Sequence, residues 1–178
     1  SADEFYNNTG KKGDMSAFLT ASVNLSKLTF KANVQYRYAD FWFKDNLTEI
    51  LYEKLASWNF INFGATAEYE FDKASEIYVR YAMTHREPTR SDMFGGNEWY
   101  VGELTTTEAE KVNDIEIGWA YSENKVSANV NGYLMLFDNE RVLNGEYGLN
   151  GLPMHESIDD SYRVGVEMST VWKFAKSF

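Results

Sequence analysis

Two histidines stand among carboxylates: Glu87 and Asp92 lie close to His85, and Glu156 and Asp159 follow His155. Such a set could ligate a metal or move protons. Its spacing argues against both, because neither histidine falls in a His-x-x-x-His or Glu-x-x-His pattern that would bring two ligands to one face. Ser91-Asp92 near His85 could belong to a nucleophilic site, yet no Gly-x-Ser-x-Gly elbow or oxyanion-hole motif accompanies it. The chain has no Cys, which removes thiolate metal sites, cysteine nucleophiles and disulfide frameworks. The histidines read as loop residues in water, and neither catalysis, a cofactor nor a resident metal is expected.

A second group of charges, Glu116, Glu167, Arg80 and Arg163, is more informative because of the elements that must carry it. Leu28, Phe30, Ala32, Val34, Tyr36 and Tyr38 alternate with Thr29, Lys31, Asn33, Gln35 and Arg37. A period of two means a strand with one apolar and one polar face. The same unit recurs from Ala17 to Leu25, Ile61 to Phe71, Ile77 to Met83, Ile115 to Tyr121, Val126 to Leu136 and Val164 to Trp172, giving about seven strands. All four charged residues fall on the polar register, with Glu116 and Glu167 near the middle of their strands.

The alternating runs are longer than soluble strands need. Eleven residues from Leu28 to Tyr38 match a tilted bilayer crossing of about 9 to 11 residues better than a soluble strand of about 5 or 6. The joins alternate as well. Turns near Ser26, Asp72 and Ser122 are short, whereas residues 44–57, 85–110 and 138–160 form long joins rich in Gly, Asn, Asp and Glu. Short turns at one end and long loops at the other are the asymmetry of outer-membrane barrels. Tyr69 and Phe71, Trp119 and Tyr121, and Trp172 and Phe174 lie on the apolar register beside the short turns, as an interfacial aromatic girdle would.

Composition is compatible with this reading. Aromatic residues make up 16% of the chain and Pro only 2 residues, while the mean hydropathy of -0.47 reflects strands that offer only every second residue to lipid. No stretch approaches the roughly 20 apolar residues of a helical span. A net charge of -10 disfavours nucleic acid as a partner. The fold class expected is therefore all-β, an antiparallel transmembrane β-barrel segment. A β-sandwich binding module, with the aromatic face as its core, and a small self-contained outer-membrane barrel of structural or adhesive role are the alternatives.

Tyr81-Ala82-Met83-Thr84-His85-Arg86-Glu87-Pro88-Thr89-Arg90 resembles the strand-end motif of TonB-dependent outer-membrane receptors, where Arg-x-Pro-[ST] closes a strand entering an extracellular loop. Glu110-Lys111-Val112-Asn113-Asp114-Ile115-Glu116-Ile117-Gly118 resembles the following return strand. Asn131 to Phe137 and Asp160 to Glu167 are similar to two later strands, in the family order. Where the family usually has Leu-x-Pro-Glu-Lys, this chain reads Thr107-Glu108-Ala109-Glu110-Lys111.

The resemblance implies a barrel of about 22 strands closed by a plug. Residues 1–178 would then be a partial barrel domain with the plug absent, and the chain a piece of a larger protein. It also implies energy-coupled uptake across the Gram-negative outer membrane of a small molecule, first of all a ferric siderophore or other iron complex. The implied partners are the protein's own plug domain, the TonB complex, the ligand and outer-membrane lipid. Family glutamates at the positions of Glu116 and Glu167 pair with plug arginines; the plainer reading is hydration, or pairing with Arg80 and Arg163. For ligand contact the loop residues Trp99 and Tyr100 are candidates, with Tyr147 and Trp58 weaker ones, because flat aromatic rings can stack on a ligand.

Overall fold

The computed structural model describes residues 7–46, 51–94, 108–148, 151 and 153–174. Seven strands, β1 (Asn8–Leu25), β2 (Leu28–Asp45), β3 (Leu51–Glu70), β4 (Ser75–Arg86), β5 (Glu110–Glu123), β6 (Val126–Tyr147) and β7 (Pro153–Trp172), make one antiparallel sheet in chain order, and a short helix α1 (Arg90–Phe94) lies between β4 and β5. Each strand pairs with the next, so the segment is an up-and-down wall. The described strands form one sheet, which leaves no facing sheet for the sandwich alternative.

The pairing register fixes the two faces. Ala21, Ala32, Ala65, Tyr81, Ile115, Leu134 and Val164 stand in one row across all seven strands. The adjacent row, Ser22, Lys31, Thr66, Arg80, Glu116, Tyr133 and Gly165, is polar apart from the tyrosine ring and the glycine. Apolar side chains on the first face lie open, with Ile117 62% and Val166 77% exposed, which suits a surface bathed in lipid rather than water. Beside the short turns, the ring pairs Tyr69–Phe71 (5.2 Å), Trp119–Tyr121 (6.0 Å) and Trp172–Phe174 (4.6 Å) form the expected aromatic belt.

Tight reversals make the short-turn end. Ser26 and Asn124 take left-handed backbone (φ 59° and 53°), as the first residue of a hairpin turn matched to strand twist requires. At the third turn the Asp72 carboxylate accepts the Ala74 amide at 2.8 Å, a side chain closing its own turn.

The opposite end corrects the expected loops. Residues 44–57 and 138–160 are mostly strand, because β2 runs to Asp45, β3 starts at Leu51, β6 runs to Tyr147 and β7 starts at Pro153. Strands of up to 22 residues exceed one bilayer crossing of about 9 to 11, so their upper parts project beyond the membrane as paired hairpins. His85 and His155 accordingly sit on β4 and β7 rather than in loops.

Outside the membrane the faces exchange character. Above Tyr38 it is Ala39, Phe41 and Phe43 that are buried, together with Ala56, Trp58 and Phe60 of β3, against Met93 and Phe94 of α1. Asp40 on the outward register instead accepts the Gly13 amide at 3.1 Å. The apolar contacts move inward because the outer surface there meets water and the mouth of the barrel supplies a covering element. Trp58 is 8% exposed, packed within this cluster.

Candidate functional site

The first candidate site is the inward face within the membrane. Arg80 and Glu116 are direct cross-strand neighbours, with guanidinium and carboxylate 3.9 Å apart and Glu116 only 18% exposed. Glu167 lies in the next inward-facing row towards the short turns, facing Asn131; it is exposed, and the ion pairs among the described residues do not include it. Arg163 does not serve these glutamates. It pairs with Glu140 and stacks over Phe137 at 4.7 Å. Glu140 follows Asn139, whose left-handed backbone (φ 56°) breaks the alternation, and its carboxylate also accepts the Ser161 hydroxyl.

Glycines smooth this face. The Tyr78 ring lies across Gly118, where any Cβ would enter the ring, and its hydroxyl donates to Asn131 Oδ1 at 3.0 Å, one strand further on. Tyr133 lies across Gly165 in the same way, its Cζ 2.6 Å from the site of an added Cβ. The Gly118 and Gly165 positions two residues from Glu116 and Glu167 are thus required by rings laid flat on the neighbouring strand. The glutamates then project past a low aromatic floor.

The second candidate site is the extracellular mouth, and reading the sequence by its motifs missed its main residue. Glu87, just after β4, is 7% exposed. Its carboxylate accepts Arg37 at 2.7 and 2.9 Å and is also paired with Lys12. Arg37 is held from its other side by Asp14 at 2.9 Å. Burial pushes the Glu87 carboxyl up, but the hydrogen bonds from Arg37 and Lys12 outweigh it and bring the pKa down to about 2 from an ordinary 4.5. A carboxylate depressed in this way stabilises the fold in full above about pH 4.5, and loses that contribution as the pH falls towards 2.

The following residues form a capped turn. The Thr89 hydroxyl accepts the Asp92 amide at 3.3 Å, and the Asp92 carboxylate accepts the Thr89 amide at 2.8 Å and its hydroxyl at 2.7 Å. This is a capping box with Asp as the acid, which gives Asp92 a structural use. Asp92 also faces His155 at 3.4 Å, while His85 stacks on Phe60 and contacts Asn62 at 3.0 Å.

Among the aromatic candidates, Tyr147 ends β6 and is 72% exposed. Trp99 and Tyr100 lie outside the described residues. No group of three or more metal-ligating side chains occurs among the described residues.

The family described as TonB dependent receptor-like, beta-barrel matches residues 1–178. Solved structures share the fold. The ferric-catecholate import receptor Fiu from E. coli K12 is 14% identical, with a TM-score of 0.67 over 96% of this chain and 27% of its own. The copper transporter OprC is 14% identical, with a TM-score of 0.71 over 93% of this chain and 26% of its own. The FrpB iron transporter (F3-3 variant) from Neisseria meningitidis is 16% identical, with a TM-score of 0.66 over 96% of this chain and 25% of its own. This chain therefore spans about a quarter of the length of these proteins. No curated protein sequence matches it.

Proposed function

We propose, from the premise that this chain belongs to the TonB-dependent receptor family of Gram-negative outer-membrane β-barrels, that it is part of the barrel wall of a receptor for energy-coupled nutrient uptake. The plug and the segment that contacts the TonB complex would lie elsewhere in the same protein. The ligand proposed is an iron complex such as a ferric siderophore. Iron is named for Fiu and FrpB, while OprC is a copper transporter. The wall does no chemistry on its ligand in this reading.

One observation carries the proposal. Among the described residues the inward face presents Glu167 without an ion-pair partner, and Glu116 hydrogen-bonded to Asp114 with Arg80 as its cation at 3.9 Å. Carboxylates that face a filled lumen need cations on the filling element, since an unpaired charge there is costly. Glu116 and Glu167 are thus assigned to plug arginines, with Arg80 sharing Glu116.

In the full-length receptor, Glu116→Gln with Glu167→Gln is expected to loosen the plug and raise entry of a large antibiotic that the membrane normally excludes. Uptake of radio-iron complexes, measured with and without a functional TonB complex, tests cargo and coupling in the same cells. Unchanged antibiotic entry would remove the plug assignment, and iron uptake that ignores loss of the receptor would remove the cargo.

A further inference from the structure

Residues 87–94, directly after β4, do not stand up from the rim. They turn inward over the sheet and within a few residues reach both edges of the described wall. Glu87 meets Lys12 of β1 and Arg37 of β2. Arg90 donates to Asn8 of β1 at 2.8 Å and lies over the Phe43 ring at 4.9 Å. Asp92 faces His155 of β7, the strand furthest from β1 in the sheet order. A five-residue helix is only about 7.5 Å long, so it can touch both edges only because the upper sheet curls around it.

Each anchor is specific. The Glu87 carboxylate is buried and takes two cations from two strands, which a casual surface contact would not assemble. Met93 is 2% exposed and Phe94 packs on Phe43 with ring centres 4.8 Å apart. These side chains cover an aromatic wall that would otherwise face water in the mouth. The capping box fixes the direction in which α1 leaves Pro88.

We propose that residues 87–94 are a latched strap, locked by Glu87 onto Lys12 and Arg37 and by Asp92 onto His155, that stays closed over the inner wall of the mouth as a fixed part of the barrel. Glu87 is the latch and a positioning residue. Arg37 and Lys12 hold the Glu87 carboxyl well below the usual carboxylate range, so its own two ion pairs are not released by mild acid. The strap is independent of which ligand the receptor takes, and its test needs no ligand.

The test is limited trypsin digestion of intact cells carrying the full-length receptor, following cleavage after Arg90 by fragment mass. Cleavage reports the fraction of time the strap is open. The wild type should resist. Glu87→Gln, which loses hydrogen bonds to two charged groups, should be cut about tenfold faster or more, with Lys12→Gln intermediate and cleavage elsewhere unchanged. Equal rates in the wild type and both variants, or acceleration spread over the whole chain, would overturn the latch. If Glu87→Gln does not reach the membrane, Lys12→Gln decides alone: faster cutting after Arg90 supports the strap, and a wild-type rate contradicts it.

Discussion

Arginine in place of Ile117 or Val166 is expected to keep the receptor out of the outer membrane, whereas arginine in place of Ser169 is expected to leave assembly near normal. Ile117 and Val166 share one outward row, joined through Gly132, between the Trp119 belt and the polar Asn113. Each is more than half exposed in the chain alone because lipid, not protein, covers it. An arginine there costs about 2–4 kcal/mol at the bilayer midplane, a factor of roughly 30 or more in an assembly equilibrium. Ser169 faces Asn129 on the inward register, where an added cation near Glu167 meets water and carboxylate. The check is the amount of receptor in purified outer membranes. Equal loss at all three positions would mean that the faces are wrongly assigned.

Alanine at Gly118 is expected to lower the stability of the wall by about 1–3 kcal/mol, the usual cost of overpacking. The methyl group would occupy the space of the Tyr78 ring, and the ring cannot retreat without breaking its bond to Asn131. The mechanism makes a sharper demand than the magnitude. In a Tyr78→Ala background Gly118→Ala should cost little, since the obstructing ring has gone, and the double-mutant cycle should show a coupling of about 0.5–3 kcal/mol. Urea unfolding of the receptor in lipid vesicles measures all four corners. Equal costs of Gly118→Ala in both backgrounds would assign the glycine to something other than the tyrosine.

The part of the fold inside the membrane was the legible part. Lipid on one side and a polar lumen on the other impose a strict period of two, and Leu28 to Tyr38 displays it without a break. Above the membrane that constraint ends. Ala39, Phe41 and Phe43 continue the strand with their apolar residues on the other register, so the alternating run read from one apolar face ends at Tyr38 and the strand beyond it goes unseen. Pairing with β1 and β3 continues there regardless.

The mouth was less legible for a different reason. Glu87 lies 50 residues from Arg37 and 75 from Lys12, and no local pattern links them. A Thr-x-x-Asp signature is present at Thr89 and Asp92, but beside His85 the same acid and the neighbouring serine also fit a chemical site, so the pattern alone does not single out the helix cap. Arg163 pairs with Glu140 instead of the two glutamates because Glu140, next to the left-handed Asn139, reaches it, which strict alternation cannot foresee. The inward placement of Arg80 and Glu116 needed only the alternation, and the sheet register sets them side by side.

The central claim is that alternate residues of these strands face lipid. It is tested most directly by placing a fluorophore, through single cysteines, at each position from Arg163 to Met168 of the full-length receptor in bilayers whose acyl chains carry a nitroxide quencher. Val164, Val166 and Met168 should be strongly quenched, and Arg163, Gly165 and Glu167 should not. Uniform quenching along the segment, or the opposite alternation, would contradict the assignment of this sheet as a membrane-spanning wall.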